Sequence, residues 1–444
     1  FYDLVISVGI VRPGPIQGGM IHPYLRRRDG KEEVRYPYAP LEPILAKTLG
    51  VPLFQEQIMR LAVVAAGFTP GEADELRRLM THRRSHERLA ATKARLLAGM
   101  AERGISAVDA ELIFHQLLGF AGYGFPESHS ASFALLVYAS AWIRRYHPAV
   151  FACALLNSQP MGFYAPHTLV EDAKRHGVLV RGVDVGASAW ESTLEGAGAT
   201  PGRPAAPGET PVLRVGLHAI RGLPRAVGDA IVAARRERPF ASPGDLVRRA
   251  RLSRAWLLRL AEADALGGLA VDRRSAVWKS LAMEGDGGDL FAGVAPPEPE
   301  AELPAASAAE EVSADFATTG LSVRAHPMSI LRGTLGGGSI RTARELARLW
   351  DRAPVEIAGL VIVRQRPQTA SGIVFLSLED ETGIANLVVM PDVYERFRPV
   401  VRASPFLVAR GRIERSGEVV NVRVDAVAPL ALAPPVGNRA REFR

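Results

Sequence analysis

From Phe54 the apolar side chains recur at helical spacing: Phe54, Ile58, Leu61, Ala62 and Ala65 stand at i, i+4, i+7, i+8 and i+11, which predicts an amphipathic helix. A second helix start is marked by Thr69-Pro70-Gly71-Glu72, where Thr69 can cap, Pro70 suits the first helical position and Glu72 completes a capping box. Ser106-Ala107-Val108-Asp109 repeats that signature, and a further helix is predicted from about Ser130 to Tyr146, closed by His147-Pro148. Ahead of these, the apolar segment Leu4 to Val11 reads as the remainder of a strand. Pro13 and Pro15 then exclude both a helix and a central strand, and a basic loop, Arg26-Arg27-Arg28, follows. Between about 192 and 212 a run rich in Gly, Pro and Ala reads as a surface loop, and residues 213 to 282 return to short helices. Residues 284 to 311 hold eight acidic side chains and no basic ones, a stretch that cannot bury itself and predicts a mobile linker.

Beyond the linker the period changes to two. Val355 to Val363, Ile373 to Asp380, Ile384 to Val389, Phe406 to Ile413 and Val419 to Val424 are β-rich runs, with Gly383 and Gly417 at turns and a helix-like stretch, Tyr394 to Val400, between the third and fourth. Five strands interrupted there match the oligonucleotide/oligosaccharide-binding (OB) barrel. The expected fold is therefore multidomain and mainly α, with a C-terminal five-stranded β OB barrel. Length agrees, because 444 residues exceed the roughly 250 to 300 at which one core stops growing, so two to four domains are expected. With 48% hydrophobic and 23% charged residues the chain has ordinary globular values. No apolar run approaches the roughly 20 residues of a membrane span, so no membrane partner is expected. The opening FYDLVISVGI has neither an initiator methionine nor a basic region before an apolar one, so no signal peptide is expected. A single cysteine, Cys153, excludes an internal disulfide framework and a Cys-based zinc site and fits a cytoplasmic location; it reads as a small buried hydrophobe on a helix.

The net charge of +7 bears on partners only where it is clustered. Between residues 76 and 95 stand Arg77, Arg78, Arg83, Arg84, Arg88, Lys93 and Arg95 against Glu87 alone. Helical spacing sets Arg77, Arg84, Arg88 and Arg95 in one broad stripe that can track phosphates or clamp a triphosphate; the same stripe reads equally as a solvated helix face. Residues 119 to 132, GFAGYGFPESHSAS, place glycines, aromatics, a histidine and hydroxyls just before a helix, suiting either an approach to a base and phosphate or a tight turn with Tyr123 and Phe125 in the core. His82 and His86 have the i, i+4 spacing of a metal pair, but the flanking arginines would repel a divalent ion, so no metal site is expected there. Residues 215 to 236 have the form of a helix-hairpin-helix, with Ile220, Leu223, Val227 and Ile231 as the seam and Gly222 at the turn. Residues 221 to 259 carry ten arginines against three acidic side chains, Arg221, Arg225, Arg235 and Arg236 among them, which suits phosphate contacts as well as a purely structural hairpin. On the barrel, Arg364, Arg366, Arg410 and Arg412 with Phe375 are candidates to hold a single strand, Phe375 reading also as core. Two-metal phosphoryl transfer needs at least two carboxylates around a metal pair. No such pair falls on a strand-like segment, and Asp3, Asp29 and Asp184 stand alone.

Four stretches, in order, resemble the C-family DNA polymerases, the bacterial polymerase III alpha subunits. They are Val11-Arg12-Pro13-Gly14-Pro15-Ile16-Gln17-Gly18-Gly19-Met20, Leu53-Phe54-Gln55-Glu56-Gln57-Ile58-Met59, Ala73-Asp74-Glu75-Leu76-Arg77-Arg78-Leu79-Met80, and Phe120-Ala121-Gly122-Tyr123-Gly124-Phe125 with Ser128-His129-Ser130. Within that family Pro126-Glu127-Ser128-His129, the run from Leu155 to Tyr164, the run from Leu378 to Val389 and the ending Arg441-Glu442-Phe443-Arg444 are similar to the error-prone, damage-inducible branch (ImuC type). Replicative members tend to carry Asn-Lys where Pro126-Glu127 stands, and losing that lysine fits looser clamping of a triphosphate.

The resemblance implies the C-terminal portion of an error-prone DNA-directed DNA polymerase acting in translesion synthesis and damage-induced mutagenesis. It implies the end of a palm and the start of fingers at 1-50, helical fingers at 51-158 and a connecting segment at 159-212. A helix-hairpin-helix domain follows at 213-282, the acidic linker at 283-312, a connecting helical segment at 313-352, the OB domain at 353-430 and a tail at 431-444. Arg12, Arg77, Arg78, Arg83 and Arg84 would hold the incoming dNTP, and Tyr123, Phe125 and His129 would shape its base pocket. Catalytic aspartates and the Mg²⁺ they bind would lie in the palm upstream of Phe1, which leaves no catalytic residue in this chain and an inactive fragment. Implied partners are primed template DNA, partner proteins of the mutagenic complex, and the sliding clamp, directly through a weak site around Asp289, Leu290 and Phe291 or indirectly. Two alternatives stand beside this: a replicative alpha subunit, and a non-catalytic nucleic-acid scaffold using the same arginines. An RNA-binding synthetase accessory region is disfavoured, since no adenylate-binding motif occurs.

Overall fold

The helical spacing that begins at Phe54 becomes a helix in the computed structural model, with Ile58, Leu61, Ala62 and Ala65 buried against its neighbours. The structure describes residues 1–11, 21–81, 86–119, 125–162, 164–196, 211–269, 271–282, 303–335, 339–367, 370–430 and 441–443. These fall into two units, Phe1–Trp142 and Ile143–Arg444.

The first unit is helical: α1 (Tyr2–Ile10), α2 (Ile21–Arg28), α3 (Glu42–Leu45), α4 (Gln55–Ala66), α5 (Pro70–Thr81), α6 (His86–Glu102), α7 (Ala107–Gly119) and α8 (Glu127–Tyr146), which runs on into the second unit. The strand expected over Leu4 to Val11 is instead α1. Its Val5, Ile6 and Ile10 enter the core, and Gly9 lies so close to Phe54 that an added Cβ would stand 2.8 Å from the ring. Packing on that ring outweighs the β preference of the Val-Ile-Ser-Val run. Both predicted caps form. At α5 the Glu72 N–H donates to Thr69 Oγ1 (3.3 Å) while the Thr69 N–H donates to the Glu72 carboxylate (2.7 Å). Before α7 the Asp109 N–H donates to Ser106 Oγ (3.1 Å). At the α4–α6 crossing a Cβ on Gly99 would stand 2.0 Å from the Ala66 carbonyl oxygen, so only glycine lets these helices approach.

The second unit continues with α9 (Pro148–Asn157), α10 (Pro166–Arg175), and a small sheet of β1 (Val180–Arg181), β2 (Thr193–Glu195) and β3 (Val212–Arg214) in the order β1-β3-β2. β2 and β3 stand at the edges of the stretch read as loop; residues 197–210 between them lie outside the described residues. Then come α11 (Arg225–Glu237), α12 (Pro243–Ala250), α13 (Arg254–Glu262), α14 (Arg273–Ala282), α15 (Ala308–Thr318), α16 (Pro327–Arg332), β4 (Ile340–Arg341) and α17 (Ala343–Leu346). A capping box between Ser307 and Glu310 starts α15 inside the stretch expected to be linker, of which 283–302 lie outside the described residues. Arg273 binds Glu311 (2.9 Å) and Asp315, and Arg274 binds Glu310 (3.3 Å), so α15 is ionically fastened to α14. Cys153 sits half-buried on α9, its thiol donating to the Ser192 carbonyl (3.2 Å) and raised in pKa by burial.

The barrel consists of β5 (Pro354–Gln365), β6 (Val374–Asp380), β7 (Gly383–Val389), α18 (Pro391–Ala403), β8 (Phe406–Ser416) and β9 (Val419–Pro429). All five predicted strands and the helix between the third and fourth are present. β5 is antiparallel to both β6 and β8, β7 pairs parallel with β9, and β8 pairs with β9, which closes the sheet into five strands with no free edge among them. β10 (Arg441–Phe443) adds in parallel beside the end of β5. Register shifts at Val361/Val363 and Arg410/Gly411 bend β5 and β8 as closure requires. Among the described residues no helix is long and apolar enough to cross a membrane.

Candidate nucleic-acid interface

Of the residues expected to hold a nucleotide, Arg12, Arg83, Arg84 and Tyr123 lie outside the described residues. Arg77 and Arg78 project from α5 and share one carboxylate: Asp74 receives Arg77 at 2.8 Å and Arg78 at 2.9 Å. Those guanidiniums hold the Asp74 carboxyl below its usual range. The Arg78 side chain is 73% exposed. Further along the stripe, Arg95 lies over the Phe68 ring and faces Glu72 (3.9 Å), while Lys93 pairs with Glu111 (2.9 Å), so these two are tied to their own unit.

Phe125 is buried, which answers to its reading as core; its ring meets His129 edge-on at 5.0 Å, and the exposed His129 meets Phe133 at 4.6 Å. The Phe54–Gln57 motif braces this turn. The Gln55 N–H donates to the Phe125 carbonyl (3.0 Å), and the Glu127 N–H donates to the Glu56 carboxylate (2.9 Å). Gln57 accepts from the Leu53 N–H (2.8 Å) and donates to the Ile44 carbonyl (3.0 Å). Glu127 is engaged by the Tyr2 hydroxyl (2.6 Å), whose pKa rises through burial and then through that bond. The Glu127 carboxylate is thus fixed against α1.

In the hairpin Ile220, Leu223 and Ile231 are buried, Val227 packs against them, and Gly222 turns the chain at φ +78°. α11 follows directly; the Val227 and Gly228 N–H groups donate to the Pro224 carbonyl (3.1 and 3.2 Å), and those of Arg225 and Ala226 head the turn. The hairpin arginines divide. Arg221 is committed to α15: its N–H donates to the Thr318 carbonyl (2.9 Å) and its guanidinium to the Ala317 carbonyl (3.1 Å). Arg235 donates to the carbonyls of Val185 (2.8 Å) and Ser188 (2.9 Å). Those two side chains brace the fold through these bonds, Arg221 remaining exposed. Arg225, 67% exposed and 3.5 Å from Asp229, and the exposed Arg236 reach solvent. Arg238 and Arg248, more than half exposed and both beside Asp245, extend that basic surface.

On the barrel Arg364 is also spent internally: its Nε donates to the Val401 carbonyl (2.7 Å) and a second nitrogen to that of Ser404, closing the end of α18. Arg366 lies over the Tyr394 ring at 4.8 Å, and Arg410, 70% exposed, pairs with Glu356 (2.9 Å). Strand register assembles what spacing alone does not. Gln365, Phe375, Val388, Arg423 and Arg412 are partners in turn across β5, β6, β7, β9 and β8. Phe375 is 36% exposed, and Arg412 and Arg423 are exposed. Across β6 to β8 this row spans about 14 Å at ~4.8 Å per strand. Beside it run Ser377, Asn386, Asn421 and Glu414. An aromatic face and two guanidiniums in line, with amides alongside, make a surface on which a base can stack and phosphates can be met. Arg423, Asn386 and Asn421 were not among the expected site residues, and the parallel β7–β9 pairing that aligns them leaves no local mark in the chain.

The barrel is joined to the rest of its unit by a buried polar cluster. Arg175 on α10 donates twice to Glu379 Oε1 (3.2 Å), and His167 Nε2 stands 3.7 Å from Glu379 Oε2. Burial pushes the Glu379 carboxyl up to about 7 against the pull of Arg175. Nearby His326 is pushed down to about 3, chiefly by burial, its Nδ1 accepting the Met328 N–H (3.1 Å).

Comparison with known proteins adds three family matches. The bacterial DNA polymerase III alpha subunit finger domain matches residues 1–104, a helix-hairpin-helix motif residues 177–276, and an OB-fold nucleic acid binding domain residues 355–430. An error-prone DNA polymerase of Anaeromyxobacter dehalogenans (strain 2CP-1) is 83% identical over 100% of this chain and 39% of its own length. Over its whole length the chain is similar to error-prone DNA polymerases. Relatives of that name from Aromatoleum aromaticum and Pseudomonas aeruginosa are each 49% identical over 100% of this chain, which covers 43% and 42% of their own lengths. The chain thus spans about two fifths of the length of these curated relatives. A solved asparaginyl-tRNA synthetase from Pyrococcus horikoshii matches 18% of this chain and 20% of its own at 25% identity and a TM-score of 0.16, too slight to carry an argument. Among the described residues no three His, Cys, Asp or Glu side chains gather to hold a metal ion, so the Mg²⁺ that such a polymerase implies finds no fitting site among them.

Proposed function

We propose that the complete protein is an error-prone DNA-directed DNA polymerase of the cytoplasm that copies damaged templates, and that these 444 residues hold its incoming nucleotide and grip its DNA. What carries the reading is the 83% identity that runs over the whole chain to an error-prone DNA polymerase. Arg77 and Arg78, with Arg12, Arg83 and Arg84 from the same two segments, neutralise the triphosphate of the dNTP. Tyr123 and His129, backed by the buried Phe125, bound its base. The N–H groups at the start of α11 with Arg225 and Arg236 take duplex phosphates without reading sequence. The barrel row from Phe375 to Arg412 takes the single-stranded template, and Arg366 and Arg410 flank it. Mg²⁺ would be held by carboxylates elsewhere in the complete protein, so these residues alone are inactive. Partner proteins of the mutagenic complex recruit the enzyme to the sliding clamp, with Asp289, Leu290 and Phe291 at most a secondary direct contact.

The test is primer extension by the full-length protein with dNTPs and Mg²⁺, on an undamaged template and on one carrying an abasic site. Extension on both is expected, lost on chelation of the metal. Binding of primed DNA without extension on either template would replace this reading with that of a nucleic-acid scaffold.

A further inference from the structure

Helix α8 leaves its core after Ala134. Ser130 and Ala134, one turn apart, are fully buried, and the Ser130 hydroxyl donates to the Val5 carbonyl (2.5 Å). Residues 135–141 are then exposed without exception. They are not polar: Leu135 is 62%, Leu136 61%, Val137 43% and Tyr138 61% exposed, and Phe133 just before them 43%. Four consecutive residues at 100° per step point to every side of the helix, and a helix apolar all round belongs in an interior. Two bare turns fall below the length at which an isolated helix holds in water, and Val and Tyr are indifferent helix formers. At roughly 150–250 Å² for a large side chain, the five leave about 500 Å² of apolar surface, at the upper end of what a single chain exposes.

We infer that this segment of α8 is a docking face covered by the part of the same polypeptide that lies outside these 444 residues; the inference rests on the reading above of a longer complete protein. Two observations and one physical argument select that occupant. The chain spans only 39% of the length of its relative from Anaeromyxobacter dehalogenans, so more than half of such a polypeptide is available to cover it. Between Glu127 and Arg144 the helix carries no Asp, Glu, Lys or Arg, so its exposed turns beyond Ala134 offer no charge to a phosphate backbone, which argues against nucleic acid as their cover. A tethered partner also acts at about millimolar effective concentration, ahead of any second copy.

The test is hydroxyl-radical footprinting of the full-length wild-type protein, reading oxidation of Phe133, Leu135, Leu136 and Tyr138 against a free peptide of the same sequence. Oxidation slowed at least tenfold, at any protein concentration and without DNA, is expected. Slowing under threefold overturns the inference, and so does slowing that grows with protein concentration, which assigns the face to a second copy. Slowing only with DNA overturns it too. A second readout is the variant pair Leu136→Ser and Tyr138→Ser, expected to raise oxidation of the remaining positions at least threefold; unchanged oxidation in a folded variant counts against the inference. Primer extension on the same preparation separates the two claims, because a protein that extends primers while the helix stays reactive sinks the docking face and leaves the polymerase reading standing.

Discussion

Replacing Arg412 and Arg423 together by alanine removes two guanidiniums from the barrel's outer row and leaves its core intact, since both are exposed and Arg423 has only a loose 3.6 Å pairing with Glu414. If each meets a phosphate of a single strand, each contributes about 0.7 to the slope of log affinity against log salt. The double variant then has a slope shallower by about 1.4. A fourfold change in salt raised to that power is about sevenfold, so the wild-type advantage grows about sevenfold between 200 and 50 mM salt. Phe375→Ala acts differently: losing a stacking platform costs about 1–3 kcal/mol per base at all salts and leaves the slope alone. Arg364→Ala is the contrast within the same barrel. Its guanidinium closes the carbonyls of Val401 and Ser404, and stranding a buried acceptor costs about 1–3 kcal/mol. That variant loses stability and keeps the slope. The assay is fluorescence anisotropy of a labelled oligothymidine titrated with the complete protein at four salt concentrations, with thermal melts in parallel. An unchanged slope in the double variant, or a slope in Arg364→Ala that falls as far, refutes the sorting of these arginines.

Gly99→Ala would set a methyl 2.0 Å from the Ala66 carbonyl, and overpacking of this kind costs about 1–3 kcal/mol; a denaturant midpoint equal to wild type would contradict the α4–α6 crossing. Glu379 titrates at about 7 when folded against 4.5 unperturbed. The native state therefore binds that proton more tightly, and its stabilising contribution is complete below about pH 4.5 and lost as pH rises to 7, about 3 kcal/mol at ~1.4 per unit. Glu379→Gln should flatten that fall in barrel Tm between pH 4.5 and 7; parallel curves across the window would place the titration elsewhere. Arg225→Ala should reduce the salt slope for primed duplex by about 0.9, whereas Arg221→Ala, which frees the Ala317 carbonyl instead, should lower stability and leave it; equal slopes for both would undo the division. Arg77→Ala with Arg84→Ala should raise the KM for dNTP more than it weakens binding of primed DNA, and the reverse would move those side chains to duplex contact.

The elements legible in the sequence were those whose signal is local. Thr69 with Glu72 and Ser106 with Asp109 mark helix starts within four residues, and the barrel strands show their period of two directly. What escaped depends on distant partners. Val5 and Ile6 sit in a helix because Phe54 packs on Gly9. Arg221, Arg235 and Arg364 have the same side chain as Arg225 and Arg412, and only carbonyls brought from Ala317, Val185 and Val401 decide which of them brace the fold. Arg423 joined the barrel row through a parallel pairing with Val388, a register that neither strand announces alone. The apolar run of α8 reads as an ordinary helix, since nothing in its own residues says that two of its turns stay exposed.

Hydrogen exchange of the full-length protein, with and without primed template and a correct incoming dNTP, tests the central claim most directly. The account predicts slowed exchange in α5, at the start of α11 and along β6 and β9, with the α5 effect requiring the nucleotide. Exchange unchanged in all of these segments when both ligands are bound would contradict it.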